Sequence, residues 1–197
     1  MIKFSESDPV YRTYYKKENC KEMTMKKRSA AAVILLMAAA LTAGCGKKEA
    51  KQTALDDKTL PEIVDLIYEQ KDPGLAVSTS EIDLEDASAL KYSTGLDSAE
   101  GIEAAAVSEA MISAQAYSMV LVRTEDSKDT ETAARNMREG IDPAKWICVQ
   151  ADDMKVSGYG DVAMLVMVSS ELSESVTAEE ITEAFKTVCG GELAFEL

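Results

Sequence analysis

The chain has 197 residues and a formal net charge of −14, from 21 Lys+Arg against 35 Asp+Glu, and it contains no histidine. That length holds one domain of ordinary size plus extra segments, and the acidic balance lacks the basic footprint that nucleic acid requires, so no nucleic-acid partner is expected. The missing histidine removes the commonest general base and metal ligand, and with it every Ser-His-Asp or Cys-His arrangement.

Residues 1–22 (MIKFSESDPVYRTYYKKENCKE) are polar, without helical or strand period, and lie ahead of Met23 and Met25. They read either as an extended n-region or, the better fit, as a start codon assigned too far upstream. In neither case do they or Cys20 belong to a fold. Residues 23–44 have the make-up of a secretory signal. Lys26, Lys27 and Arg28 precede twelve apolar residues, Ala30 to Leu41, and a small-residue exit, Thr42-Ala43-Gly44. Twelve residues rise only about 18 Å as a helix, too little to span a hydrocarbon core of roughly 30 Å. A short buried helix of a cytosolic domain would not need those flanks in that order.

LTAGC, ending at Cys45, resembles the lipobox of bacterial lipoproteins. The resemblance implies a diacylglyceryl group on the Cys45 thiol and cleavage between Gly44 and Cys45. Small residues let the extended chain enter the peptidase, and a thiol is the nucleophile that takes the lipid. The leucine stands four residues before the cysteine, with Thr42 in the third place, a departure from the usual pattern. Two acyl chains hold a protein stably at a bilayer. The expectation is a membrane partner through the lipid on Cys45, on the extracytoplasmic face. Residues 46–197 carry 13 basic and 31 acidic side chains, a net −18, whereas residues 1–45 carry +4, the asymmetry that export favours. Residues 45–58 read as anchor and polar tether, and 59–197 as the folded domain.

Within the domain, Thr59 with Glu62 forms a capping-box signature before Leu60, Ile63, Val64 and Ile67, a one-faced helical stripe with Pro61 in its first turn. A helical turn near Glu85 to Tyr92 is weaker. Ile102 to Met111 reads as helix by its alanines and as strand by its alternation. Taken as a strand, it precedes a second at Tyr117 to Arg123. Asp129 to Glu139 predicts a helix with Ala133, Ala134, Met137 and Ile141 on one face, ended by Gly140 and Pro143. Met154 and Val156 alternate up to Gly158-Tyr159-Gly160-Asp161, a hairpin turn into a strand at Val162 to Val168. Thr177 with Glu180 caps a last helix bearing Ile181, Ala184, Phe185 and Val188, stopped by Gly190-Gly191. After the first helix the order is β-β-α-β-β-α. It predicts a single α+β domain, a mostly antiparallel four-stranded sheet with helices on one face and an open face for binding.

Candidate chemistry is sparse. Cys148 and Cys189 read as a disulfide or, the better fit to their apolar settings, as two buried free thiols; neither has a histidine to activate it. Ser88-Ala89-Leu90-Lys91 spells S-x-x-K, but the companion S-D-N and K-T-G motifs are absent. Asp152, Asp153 and Asp161, and Asp83, Glu85 and Asp86, are carboxylate clusters without the spacing of a calcium loop, so no metal or other cofactor is implied. Three residues stand as binding candidates. Trp146 is either a stacking platform or the bulky residue closing a helix-to-strand corner. Arg123 either fixes an anionic ligand or caps a strand with an ion pair. Tyr159 lies in the hairpin turn.

The succession SAQAYSMVLVRTED, NMREGIDPAKW, SGYGDVAMLVMVSS and EITEAFKTV resembles domain-of-unknown-function family 4358, found in small lipoproteins of Clostridia-like bacteria, over roughly residues 60–190. The resemblance implies a lipobox, a tether and an α+β domain, and no activity or catalytic residue. The alanines at 104–106 and 110 are richer than that family's first strand would have. The functional expectation is a non-catalytic binding or adaptor module of the cell envelope, contacting an envelope protein or wall component. The alternative is a small carboxylate-based hydrolase of wall glycan or peptide. Its mark would be two carboxylates facing one cleft, one of them held protonated. A solute receptor would need two lobes, for which the chain is too short.

Overall fold

The computed structural model describes residues 54–197. Residues 1–22, the expected signal segment 23–44 with Gly44, and Cys45 all lie outside the described residues. So does most of the expected tether, 45–58. Its last residues, 54–58, form a turn, and Leu55 within it is fully buried in the core.

In chain order the elements are α1 (Leu60–Gln70), β1 (Val77–Glu81), α2 (Ala87–Thr94), β2 (Ile102–Ala110), β3 (Tyr117–Thr124), α3 (Thr130–Gly140), β4 (Asp153–Tyr159), β5 (Val162–Val168), a 3-10 turn (Ser170–Leu172), α4 (Ala178–Val188) and β6 (Phe195–Glu196). Both predicted capping boxes are formed. Thr59 and Thr177 each accept from the N3 amide while Glu62 and Glu180 reach back to the cap amide. The ambiguous stretch at 102–110 is a strand, with a register irregularity between Ile102 and Ala104.

The six strands form one antiparallel sheet in the order β1-β2-β3-β5-β4-β6. Two expectations are corrected. The sheet has six strands rather than four, because β1 and β6 add the edges. The helices cover both faces rather than one. On one face, Leu60, Ile63, Val64 and Ile67 of α1 and Ile181, Ala184 and Phe185 of α4 pack on Tyr117, Met119 and Leu121 of β3 and on Val162, Met164, Val166 and Val168 of β5. On the other face, Leu90 of α2 and Ala133, Ala134 and Met137 of α3 pack on Val120, Val122, Ala163, Leu165 and Met167. There is thus no open sheet face for a ligand.

The reason is legible in the two central strands. Every residue of β3 and of β5 is buried. A strand covered on one face alternates apolar and polar, whereas one covered on both reads as a continuous apolar run. VAMLVMV is such a run, and no single layer of helices could cover both of its faces. Strand β1 (VSTSE) escaped the sequence pattern because it is an edge with mostly hydroxyl side chains, and β6 because it is two residues long. Helices α2 and α3 meet backbone to backbone where Gly95, with φ of +82°, caps α2. A Cβ on Gly140 would collide with the Gly95 carbonyl, so both positions require glycine.

The buried Leu55 makes the turn at 54–58 part of the fold. Leu55→Ala is expected to destabilise the domain by about 2–5 kcal/mol, the range for a buried leucine, read as a lower urea midpoint at unchanged slope. An effect under about 0.5 kcal/mol would place Leu55 outside the cooperative unit.

Candidate functional site

The three sequence candidates fall at opposite ends of the sheet. Arg123 and Tyr159 both pair across from Val162, at one end, with their side chains on the α1/α4 face. The Arg123 guanidinium is nearly buried and engaged. Its Nη1 donates to the Lys58 carbonyl (2.9 Å), Nη2 to the Leu55 carbonyl (3.0 Å), and Nε faces Asp161 at 3.2 Å. It clamps the turn through which the chain joins the domain. Tyr159 is partly buried against the α1/α4 core. Trp146 lies at the other end and on the other face, half-buried in the loop 141–152 that joins α3 to β4.

Trp146 is the one candidate that lines a cleft. A cavity of about 480 Å³ is bounded by Trp146, Cys148, Gln150, Asp152, Ser170 and Glu171. Several of its polar groups are already used. Asp152 accepts from both the amide and the hydroxyl of Ser170, and those bonds hold its carboxyl below the usual range. The Ser169 hydroxyl caps the 3-10 turn. Cys148, exposed beside them, has φ of +66°, a left-handed conformation rare for a side-chain-bearing residue.

Sequence reasoning missed the residue next door. The Lys145 ammonium, with its side chain 1% exposed, sits 2.6 Å from the Glu109 carboxylate of β2 and donates to the Ser118 hydroxyl of β3 at 3.2 Å. Two rings flank it, Tyr92 with its centroid at 5.1 Å and Trp146 at 5.3 Å. The Tyr92 hydroxyl also donates to the Lys145 carbonyl at 3.3 Å. The ammonium thus pins an irregular loop to the sheet and holds the indole against itself by cation–π attraction. The only signal in the sequence was a lysine beside the sole tryptophan, and spacing cannot show that Glu109, 36 positions earlier, would meet it.

The expected carboxylate clusters serve the backbone. Asp153 caps α4 through the Ala178 amide, Asp161 faces Arg123, Asp83 accepts from the Glu85 amide, and Asp86 caps α2. Ser88 is exposed on α2, and Lys91 binds Asp97 and the Gly95 carbonyl, so the S-x-x-K residues are helix furniture. The displaced carboxyls, Glu62, Asp126, Asp152 and Glu180, all move down through hydrogen bonds, the opposite of a general acid. Among the described residues no group of Cys, Asp and Glu converges to hold a metal ion. A second, larger cleft of about 890 Å³ lies beside α3 at the Arg123 end, where Asp97, Glu100, Glu125, Asp129 and Glu139 stand exposed on its rim. On the α1 face, Tyr68 donates to Ser108 (2.8 Å) and meets the Tyr117 hydroxyl at 3.1 Å. Burial pushes the pKa of both tyrosine hydroxyls up, that of Tyr117 well above its ordinary value.

The Lys145 pair makes an asymmetric prediction. Glu109→Gln strands a buried ammonium and is expected to cost about 3 kcal/mol, whereas Lys145→Met removes that charge and leaves a carboxylate within reach of water, costing less. Equal losses in urea titration would show that the pair is effectively solvated. The thiols should also separate. Cys148 and Cys189 are both free, but of the two expected to be buried only Cys189 is, its thiol pushed up to about 12, while Cys148 stands exposed in the loop 141–152. In a chain beginning at residue 46, a maleimide at pH 7 should modify Cys148 alone, and Cys189 only in denaturant. Two thiols reacting at once in the folded protein would contradict the burial.

No family model matches this chain, and no curated protein or solved structure matches it either.

Proposed function

We propose that the chain is a lipid-anchored extracytoplasmic lipoprotein whose domain is a non-catalytic binding or adaptor module of the cell envelope. The lipobox-like LTAGC supports the anchor at Cys45. The observation that carries the binding role is the polarity of the sheet. Its Arg123 end holds the turn through which the anchor segment joins. Its opposite end carries the Trp146 cleft and the exposed apolar side chains of the domain.

Along β5, from Val162 to Val168, those ends are about 20 Å apart at the rise of an extended strand. Ten residues separate Cys45 from Leu55, at most about 35 Å of chain. A chain that enters at the Arg123 end leaves the other end unencumbered for a partner. The carboxyls that are displaced all move down and those on the rim of the larger cleft stand exposed to water, so none of them supports the hydrolase alternative.

Cross-linking in intact cells of the natural host, followed by mass spectrometry of the membrane-purified protein, tests this reading. The expected result is a stoichiometric exported or membrane partner that is lost in Cys45→Ala. Absence of any partner across cross-linkers of different length and chemistry would overturn the adaptor role.

A further inference from the structure

The large apolar side chains that remain exposed among the described residues are Tyr92, Met111, Ile112 and Ile147, at 52%, 70%, 54% and 77% exposure. They come from three separate segments, and each touches Lys145 or lies within three residues of Lys145 or Glu109 in the chain. Tyr92 bonds the Lys145 carbonyl and lies against the Lys145 ammonium. Ile147 follows two residues after Lys145. Met111 follows two residues after Glu109, Lys145's partner, and its amide continues the strand pairing by donating to the Ala76 carbonyl at 2.8 Å. In extended chain, residues two apart share a face. Ile112 is at the tip of the same β2–β3 connection. A monomeric domain has no need to gather its exposed apolar side chains at one end, and a gathered patch with a polar rim marks a contact surface.

The exposed charged residues of the loop 141–152 and of the cleft rim beside this patch are acidic. Lys145 is buried and paired, so it offers nothing to a partner, while Asp142, Asp152 and Glu171 are exposed on the neighbouring loop and cleft rim. Residues 54–197 as a whole carry 10 basic and 30 acidic side chains. A second copy would bring the same carboxylates against these and be repelled. An anionic lipid surface would be repelled likewise, and the patch sits at the end of the sheet opposite the turn at 54–58 that Arg123 clamps.

We propose that this end of the domain is a protein-docking surface, and that its occupant is an apolar segment flanked by Lys or Arg in an exported protein. This rests on the adaptor reading and names the chemistry of its partner. Apolar contact supplies the affinity here, and the carboxylate rim selects for basic flanks and against self-association.

The test uses the full chain in intact cells, with a benzophenone amino acid replacing Ile112 at the patch or exposed Ser127 at the opposite end. The cross-linked peptide of the captured protein is then sequenced by mass spectrometry. The expected result is capture from position 112, not 127, of a segment with apolar residues and net positive charge. Yield should fall about tenfold or more in the double variant Met111→Ser, Ile147→Ser, as for residues at the centre of a contact. Both substitutions are at exposed positions, and an unchanged melting temperature would show that the fold is kept. Cross-links to a second copy, to lipid, or to an acidic or wholly polar segment would overturn the proposal, and so would unchanged yield in the double variant. If general cross-linking recovers a partner that position 112 never captures, the adaptor reading stands and this surface falls.

Discussion

Two strands that are apolar on both faces govern this domain. Strands β3 and β5 pair with each other at the centre of the sheet, and neither presents a residue to water. Burying them requires a helix layer on each side, which α1 with α4 and α2 with α3 supply. The antiparallel order then has to place β5 between β3 and β4, and β4 between β5 and β6. The connections carrying α3 and α4 each pass over one strand, on opposite faces. At about 25 cal/mol per Å² of apolar surface removed from water, covering both faces of this central pair favours the two-layered arrangement.

The two ends of that central pair are finished differently, and the difference gives the molecule a direction. At one end a buried guanidinium holds two backbone carbonyls of the joining turn, and Asp161 balances its charge. At the other end a buried ammonium holds an irregular loop against β2 and β3, balanced by Glu109. Each is a cation taken out of water, tolerable because hydrogen bonds and a carboxylate receive it. The first device fixes where the chain enters. The second positions Trp146 and leaves a cluster of apolar side chains in the open.

The legible parts of the fold were those whose signal is local. Both capping boxes, the one-faced stripe of α3 and the runs at 117–123 and 162–168 formed as read. Each rests on interactions within a few residues. The unalternating character of VAMLVMV was itself the sign of two helix layers, outweighed by an element count that put every helix on one face. The expectation of an open face failed for the same reason. VSTSE was invisible because an edge strand of serines and threonines has no apolar period. Of the candidate site residues, Trp146 reached a cleft, whereas Arg123 became a clamp, because a long side chain at a strand end is captured by whatever carbonyls lie near it.

The amino-acid sequence by itself determined the helix starts at Thr59 and Thr177, the two central strands and the acidic character of the domain, because caps, periodicity and charge are properties of neighbouring residues. It also carries, in LTAGC, the whole of the case for a lipid anchor at Cys45. Only the tertiary structure decided that helices lie on both faces, that Leu55 belongs to the core, that Lys145 meets Glu109, and that Tyr92, Met111, Ile112 and Ile147 gather at one end. Those facts depend on which distant segments the sheet order brings side by side, and the preferences of neighbouring residues do not specify that order.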